Sequence, residues 1–288
     1  MQKGLIVPMK ITVLIENTTD SDLQCEHGLS LYIEYKDKKI LLDAGSTEAF
    51  ADNARKLGID LRMVDFAFLS HGHYDHSGGF GVFMQENQDA LFYTTETAFG
   101  RYASDSGGSL HEIGVPEGIK TGLRKRSTLI KSVTAVWDGI TLVPHNTPHL
   151  ECIGKRAGLY CEQNGKWVAD DFSHEMSVVF ETDAGLVICN SCSHGGVRNI
   201  VEEVKAALPG KKIYAYVGGL HMKGREAGTE ICTFTKDEVK ALTDYVKSED
   251  IRMLITGHCT GAPAMQLLEV ELEKERLFEM CSGKTFII

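Results

Sequence analysis

The early part of the chain is marked as strand by its runs of apolar positions. Lys10–Glu16 (KITVLIE), Leu29–Tyr35 (LSLYIEY) and Lys39–Gly45 (KILLDAG) are dense in aliphatic and β-branched residues, which suit a pleated and largely buried surface. Asp37-Lys38, between the last two, predicts a hairpin. The period then changes. Ser46-Thr47 offers a helix N-cap, Ala49, Ala51, Ala54 and Leu57 follow as the apolar side of a helix, and Gly58 closes it. Met63–Ser70 (MVDFAFLS) predicts a buried strand, Phe80–Glu86 a helix and Leu91–Thr95 another strand.

From Phe99 to Lys131 the chain is glycine-rich and holds no sustained period, so residues 99–131 are expected to form a lid or substrate loop. Strands resume at Ile140–Pro144 and Gly158–Ala169, where Asn164-Gly165 is a hairpin turn, and Ser177–Asn190 predicts a second hairpin. The last hundred residues alternate. A helix over Val197–Leu208 is followed by a strand over Lys212–Gly219. A capping box at Thr235 and Glu238 opens a helix to about Ser248. A strand at Ile251–Thr256, a helix over Ala262–Phe278 and a strand at Lys284–Ile288 complete the pattern. No linker or composition break divides the chain. One domain over 1–288 is expected, of mixed α/β class with helices enough to cover two packed sheets, and residues 1–8 as a short N-terminal extension.

Composition narrows the classes. Hydrophobic residues make up 43% and charged residues 24% of the 288 positions, ordinary values for a globular protein. No apolar run reaches 18 residues, so no membrane span is expected, and the opening MQKGLIVPMK does not resemble a secretion signal. A formal charge of −10 argues against a nucleic-acid partner. The eight cysteines are scattered without a disulfide framework, which suits a reducing compartment, and a cytoplasmic protein is expected. A homo-oligomer is compatible with all of this.

The chemistry collects in loops that follow apolar strands. LSHGHYDHSGG (Leu69–Gly79) crowds His71, His73, Asp75 and His76 into six positions. In an H-x-H loop the alternate side chains can face one ion, while Asp75 and His76 can face a second. Imidazole with carboxylate suits zinc first, with iron or manganese as alternatives. Two divalent ions need further ligands. Ser191–Gly196 (SCSHGG) supplies Cys192 and His194, and Thr256–Gly261 (TGHCTG) supplies His258. Cys192 is a ligand, a group behind the ligands or a packed thiol; Cys189 reads as core. His174 rivals His194 for a ligand place. His221, after a strand and two glycines, is a candidate ligand, substrate donor or acid, and Lys223 and Arg225 beyond it are candidate phosphate anchors. Asp43 ends a strand beside the cluster and is expected to accept a hydrogen bond from the N–H of a ligating imidazole. His27 reads as a structural hydrogen-bonding residue. No role is assigned to His111, His145 or His149.

LSHGHYDHSGG after an apolar strand and LLDAG resembles the H-x-H-x-D-H signature of the metallo-β-lactamase superfamily. With HGLSLYIE, CSHGGVRNI, VGGLHM and TGHCTG in this order, the chain is similar to the branch of 7,8-dihydropterin-6-ylmethyl-4-(β-D-ribofuranosyl)aminobenzene 5′-phosphate synthases. The resemblance implies a four-layer αββα sandwich of two mixed β-sheets with a dinuclear site at one sheet edge. It implies that His71, His73 and His194 hold one ion, and Asp75, His76 and His258 the other. The chain departs from that pattern at two places. Ser191 stands where a glycine is expected before Cys-Ser-His, and the Cys192–His194 segment takes the place of the bridging aspartate of hydrolytic relatives. The implied activity is that of a metal-dependent hydrolase or transferase on a small, phosphorylated or otherwise anionic substrate, with Asp75 or His221 moving the proton. Condensation of a pterin diphosphate with an arylamine riboside phosphate is one form. Hydrolysis of a phosphodiester, lactone or thioester is another, and ligand sensing without catalysis is a third.

Overall fold

A computed structural model describes residues 8–106 and 108–288 of the chain. The expected extension over 1–8 lies, apart from Pro8, outside the described residues.

Two seven-stranded mixed sheets form the frame. In space, the first runs Thr285–Ile287, Lys10–Ile15, Ser30–Tyr35, Lys38–Leu42, Phe66–Phe68, Leu91–Thr95, Ser127–Ile130. Its pairs are antiparallel as far as Lys38–Leu42 and parallel beyond. The second runs Leu277–Glu279, Met253–Thr256, Ile213–Val217, Gly185–Cys189, Met176–Thr182, Ile140–Pro144, Thr134–Trp137. Here the first three pairs are parallel and the rest antiparallel.

Alternation along each strand decides the layering. Ile33, Leu42, Phe68, Val178, Phe180, Val187, Val217 and Ile255 pack into one cluster between the two sheets. Their neighbours Tyr32, Leu41 and Ala67 face the other way, onto Phe50, Phe80 and Phe83 of the helices Ala49–Lys56 and Phe80–Glu86. In the second sheet, Val179, Ile188, Tyr216 and Leu254 face the helices Val197–Ala207, Lys236–Ser248 and Ala262–Glu271. Burying one such side chain contributes about 1.5–3 kcal/mol, and a one-residue slip would turn the whole set of a strand around. The register is therefore fixed by both faces at once, giving helix, sheet, sheet, helix.

Several expectations require correction. The segment 99–131 is not one long loop. It contains short strands Tyr102–Ser104 and His111–Glu112, a helix Glu117–Arg126 and the edge strand Ser127–Ile130. The helix is polar except where Leu123 and Ile119 meet the core, so its period is carried by too few apolar positions to stand out. The helix expected over Ala262–Phe278 ends at Glu271, and Leu277–Glu279 instead joins the sheet beside Met253–Thr256. Leu277 and Phe278 gain more by packing against the sheet than by continuing a helix into solvent. A hairpin of Lys223–Glu226 and Thr229–Cys232 and a helix Glu151–Ala157 lie where none was expected. Among the described residues no helix is long and apolar enough to cross a membrane.

Candidate metal centre

Five loops leave the carboxyl ends of strands on the same edge of the two sheets. Asp43 follows Lys38–Leu42, His71 follows Phe66–Phe68, Cys192 and His194 follow Gly185–Cys189, His221 follows Ile213–Val217, and His258 follows Met253–Thr256. Parallel pairing within each half-sheet carries these ends to a shared rim. Four residues there hold left-handed backbone: Asp43 (φ 59°), Ser193 (φ 56°), His221 (φ 49°) and His258 (φ 53°). Such conformations are costly for residues with a Cβ and persist where the surroundings over-determine them. Gly72 has no room for a side chain, because a Cβ would run into the carbonyl of Ala98. That close approach holds the histidine loop against the Glu96–Phe99 turn.

Each imidazole is oriented from behind. The Ser70 hydroxyl donates to Asp43 Oδ2 at 2.6 Å and lies 2.8 Å from His71 Nδ1. Its one proton is committed to Asp43, so His71 must donate from Nδ1 and keep its lone pair on Nε2. His76 Nδ1 donates to Asp43 Oδ2 at 2.8 Å, and His194 Nδ1 to Glu175 Oε1 at 2.8 Å. His258 Nδ1 donates to Asn17 Oδ1 at 3.0 Å. Four imidazoles thus share one tautomer with Nε2 turned inward, the arrangement that carboxylates and amides impose on metal-ligating histidine. The expected role of Asp43 is visible here, with its second oxygen accepting from the Ser70 amide at 2.8 Å.

The inward atoms converge. His71 and His73 rings lie 4.6 Å apart, and both approach His194, at 4.8 and 4.9 Å between ring centroids. The Nε2 atoms of His71 and His73 are buried without a hydrogen-bond partner. Burial, then the neighbouring imidazoles, holds both rings well below the usual histidine range and so neutral. Neutral, buried and unpartnered nitrogens facing one point are what a cation requires and what a packed core avoids.

The second set adjoins the first. His76 Nε2 lies 3.2 Å from His258 Nε2, and Asp75 Oδ2 lies 3.6 Å from the former and 3.4 Å from the latter. Two lone pairs at 3.2 Å repel unless a proton or a cation sits between them. Burial works against charging His76, but Asp75 and Asp43 outweigh it and push its pKa up to about 9. Burial would raise Asp75 as well; His76 and His258 overcome that and hold it well below the carboxylate range. The Cys192 sulfur is 3.2 Å from His76 Nε2, and burial pushes its thiol well up.

The remaining candidates are placed as follows. His174 accepts from the Gly72 amide at Nδ1 (3.0 Å) and pairs with Asp170 Oδ2 through Nε2 (3.0 Å). Both its nitrogens are engaged, so it braces the His71–His73 turn and offers no lone pair as a ligand. The His221 ring lies tilted against His194 at 4.5 Å between centroids with Nδ1 unpartnered, reached by way of Gly218 and Gly219, where a Cβ would strike the Asn190 carbonyl and the Cys259 sulfur. Burial opposes a charge on His221, but Cys259 and Glu175 raise its pKa above the ordinary value. Above the centre opens a cavity of about 820 Å3. One wall is the Lys223–Cys232 hairpin with Lys223 and Arg225; the other carries Ser104, Ser106, His111 and Ile113 from the segment 99–131.

Four groups escaped the sequence reading. His27 stacks on His258 at 5.2 Å and sets Nε2 3.3 Å from Asp75 Oδ2 at the cavity floor, with its side chain half exposed. Its place at the head of HGLSLYIE, before the strand Ser30–Tyr35, is its signal in the sequence. Glu175 lies behind His194, and on its other oxygen meets His145 Nε2 at 2.5 Å, while His145 Nδ1 meets Glu203 Oε2 at 2.7 Å. Burial opposes a charge on His145, but Glu175 and Glu203 outweigh it and push its pKa up to about 10. Burial would raise Glu175, and His194 and His145 instead hold it well below its ordinary value. These three come from separate loops and a helix, and no spacing links them.

Residues 23–149 match the sequence model of the metallo-beta-lactamase superfamily. The 7,8-dihydropterin-6-methyl-4-(beta-D-ribofuranosyl)-aminobenzene-5′-phosphate synthase of Methanocaldococcus jannaschii is 29% identical over 300 residues, covering 99% of this chain and 98% of its own. An uncharacterized protein of the same organism, MJ0448, is 28% identical over 90% of this chain and 93% of its own. Among solved structures, Tm1679, described as a metal-dependent hydrolase of the β-lactamase superfamily, superposes with a TM-score of 0.76. It is 24% identical and covers 97% of this chain and 99% of its own. The histidine loop, the layered fold and the match over residues 23–149 agree in likening the chain to the metallo-β-lactamase superfamily.

Proposed function

We propose that the chain is a metal-dependent enzyme that acts on a small, phosphorylated or otherwise anionic substrate through a dinuclear centre. Our first reading of the reaction is a condensation of the kind named for the M. jannaschii relative. One observation carries it: two sets of buried, inward-facing ligand atoms meet beneath a cavity whose wall carries cationic side chains. His71, His73 and His194 would hold one ion, and Asp75, His76 and His258 the other, with zinc the best chemical match and iron or manganese the alternatives. Cations bound there supply Lewis acidity, which acidifies water and offsets negative charge developing on an oxygen or a departing phosphate.

The side chains around the centre supply the rest. Arg225 is exposed on the cavity wall with no carboxylate partner among the described residues, which leaves its guanidinium for a phosphate. Lys223 shares its ammonium with Glu230 at 3.2 Å and is the weaker anchor. Asp75 and His221 face the cavity floor, where either could hold or move a proton. A volume of about 820 Å3 lies in the range of small-molecule sites, and with a formal charge of −10 we expect no nucleic-acid partner. All eight cysteines are free, in keeping with a reducing, cytoplasmic setting.

The test is to incubate purified, metal-loaded protein with a pterin diphosphate and an arylamine riboside phosphate. Joint disappearance of both with release of diphosphate supports the condensation. Turnover of bis-p-nitrophenyl phosphate without the condensation moves the assignment to hydrolysis. Inertness toward both, with metal bound, contradicts the enzymatic reading.

A further inference from the structure

The feature left unexplained by two sets of three ligands is the sulfur between them. Cys192 Sγ belongs to two mutually close groups, one with ligand atoms of His71 and His194 and one with ligand atoms of His76 and His258, each group within 4.8 Å. No other residue joins both of those groups. The side chain is 3% exposed, and its sulfur lies within 4.8 Å of a ring nitrogen of His71, whose Nε2 is buried without a hydrogen-bond partner. The sequence around it, Asn190-Ser191-Cys192-Ser193-His194, contains no carboxylate.

We propose that the Cys192 thiolate bridges the two metal ions. The inference rests on the dinuclear reading above. Its electrostatic basis is simple. Two divalent cations held by five neutral imidazoles and the single carboxylate of Asp75 would carry most of their charge unneutralised in a buried site, and they would repel each other. An anion between them removes charge where the repulsion is greatest. Sulfur also suits the borderline metals that imidazole prefers. On binding, the S–H bond is replaced by bonds from sulfur to the metals, and the proton leaves to solvent. The nearby Cys259, whose sulfur lies 3.5 Å from the Cys192 carbonyl oxygen, belongs to neither of those groups and serves as the internal control.

Cobalt(II) titration of the metal-free protein tests this without recourse to activity. The wild type should take up two equivalents, with a thiolate-to-cobalt charge-transfer band in the near ultraviolet that grows through both. Its paramagnetic resonance signal should fall as the second equivalent couples to the first. Cys192→Ser should lose the band and bind the second equivalent at least about tenfold more weakly. Cys192→Asp should keep two equivalents without the band, which shows that the site is still folded, and Cys259→Ser should behave as wild type. A band complete at one equivalent, or one that persists in Cys192→Ser, overturns the bridge while leaving two ions in place. Fewer than two equivalents in the wild type overturns the dinuclear reading, and the bridge with it.

Discussion

Glu175 accepts the Nδ1 proton of His194 at 2.8 Å, and the same carboxylate also receives the backbone N–H of His194 at 3.2 Å. Both ring and backbone of the histidine are therefore set by one buried side chain from the opposite strand end. His145, held in turn by Glu203, fixes the other oxygen of Glu175. The loop after Gly185–Cys189 is positioned by this chain of contacts rather than by its own short sequence.

From this relationship, Glu175→Gln is expected to weaken metal retention at the His71, His73, His194 set by about 10–100-fold, since groups behind a ligand commonly matter that much. The fold should survive, because Gln can still accept one of the donors. Competition against a chelator of known affinity measures the loss; an unchanged affinity would remove Glu175 from the account.

Metal affinity should depend on pH with a definite sign. The pKa of His76 is pushed up to about 9, so below that pH a proton occupies the nitrogen that would bind a cation. Affinity should fall as pH falls from 9, by up to about tenfold per unit for each proton displaced. Isothermal titration across pH 6–9 checks it. A flat profile would mean that His76 binds no metal.

His27 stands over Asp75 and His258 while remaining open to the cavity. Its replacement, His27→Ala, is expected to lower turnover about tenfold or more with metal content unchanged, as for a group that touches substrate or relays a proton beside the centre. Loss of metal instead would make it a ligand, and unaltered kinetics would return it to the structural role suggested by the sequence.

The frame and the ligand loop were legible in the chain because both depend on local pattern. Period-two burial in Leu31–Ile33 or Val178–Phe180 reports the two-faced sheets directly, and three histidines with an aspartate in six positions have no use in a core. What stayed hidden depends on tertiary convergence. His145, Glu175 and Glu203 meet from three distant segments, and the tautomers of His71 and His76 follow from hydrogen bonds that no spacing encodes. The hairpin Lys223–Cys232 was missed because its strands are largely polar and face solvent and cavity rather than core.

That hairpin carries the next expectation. Arg225→Ala should raise KM for a phosphorylated substrate by about tenfold and leave kcat within about twofold, the signature of an interaction that binds without acting in the transition state. Steady-state kinetics with the phosphorylated substrate and its dephosphorylated counterpart separate the two. An equal effect on both would show that Arg225 does not hold the phosphate.

The centre itself is tested most directly by counting metal. Elemental analysis of protein purified without added metal, beside His71→Ala prepared in the same way, should give about two equivalents of divalent ion in the wild type and a clear loss in the variant. A metal content that His71→Ala leaves unchanged would contradict the proposed site.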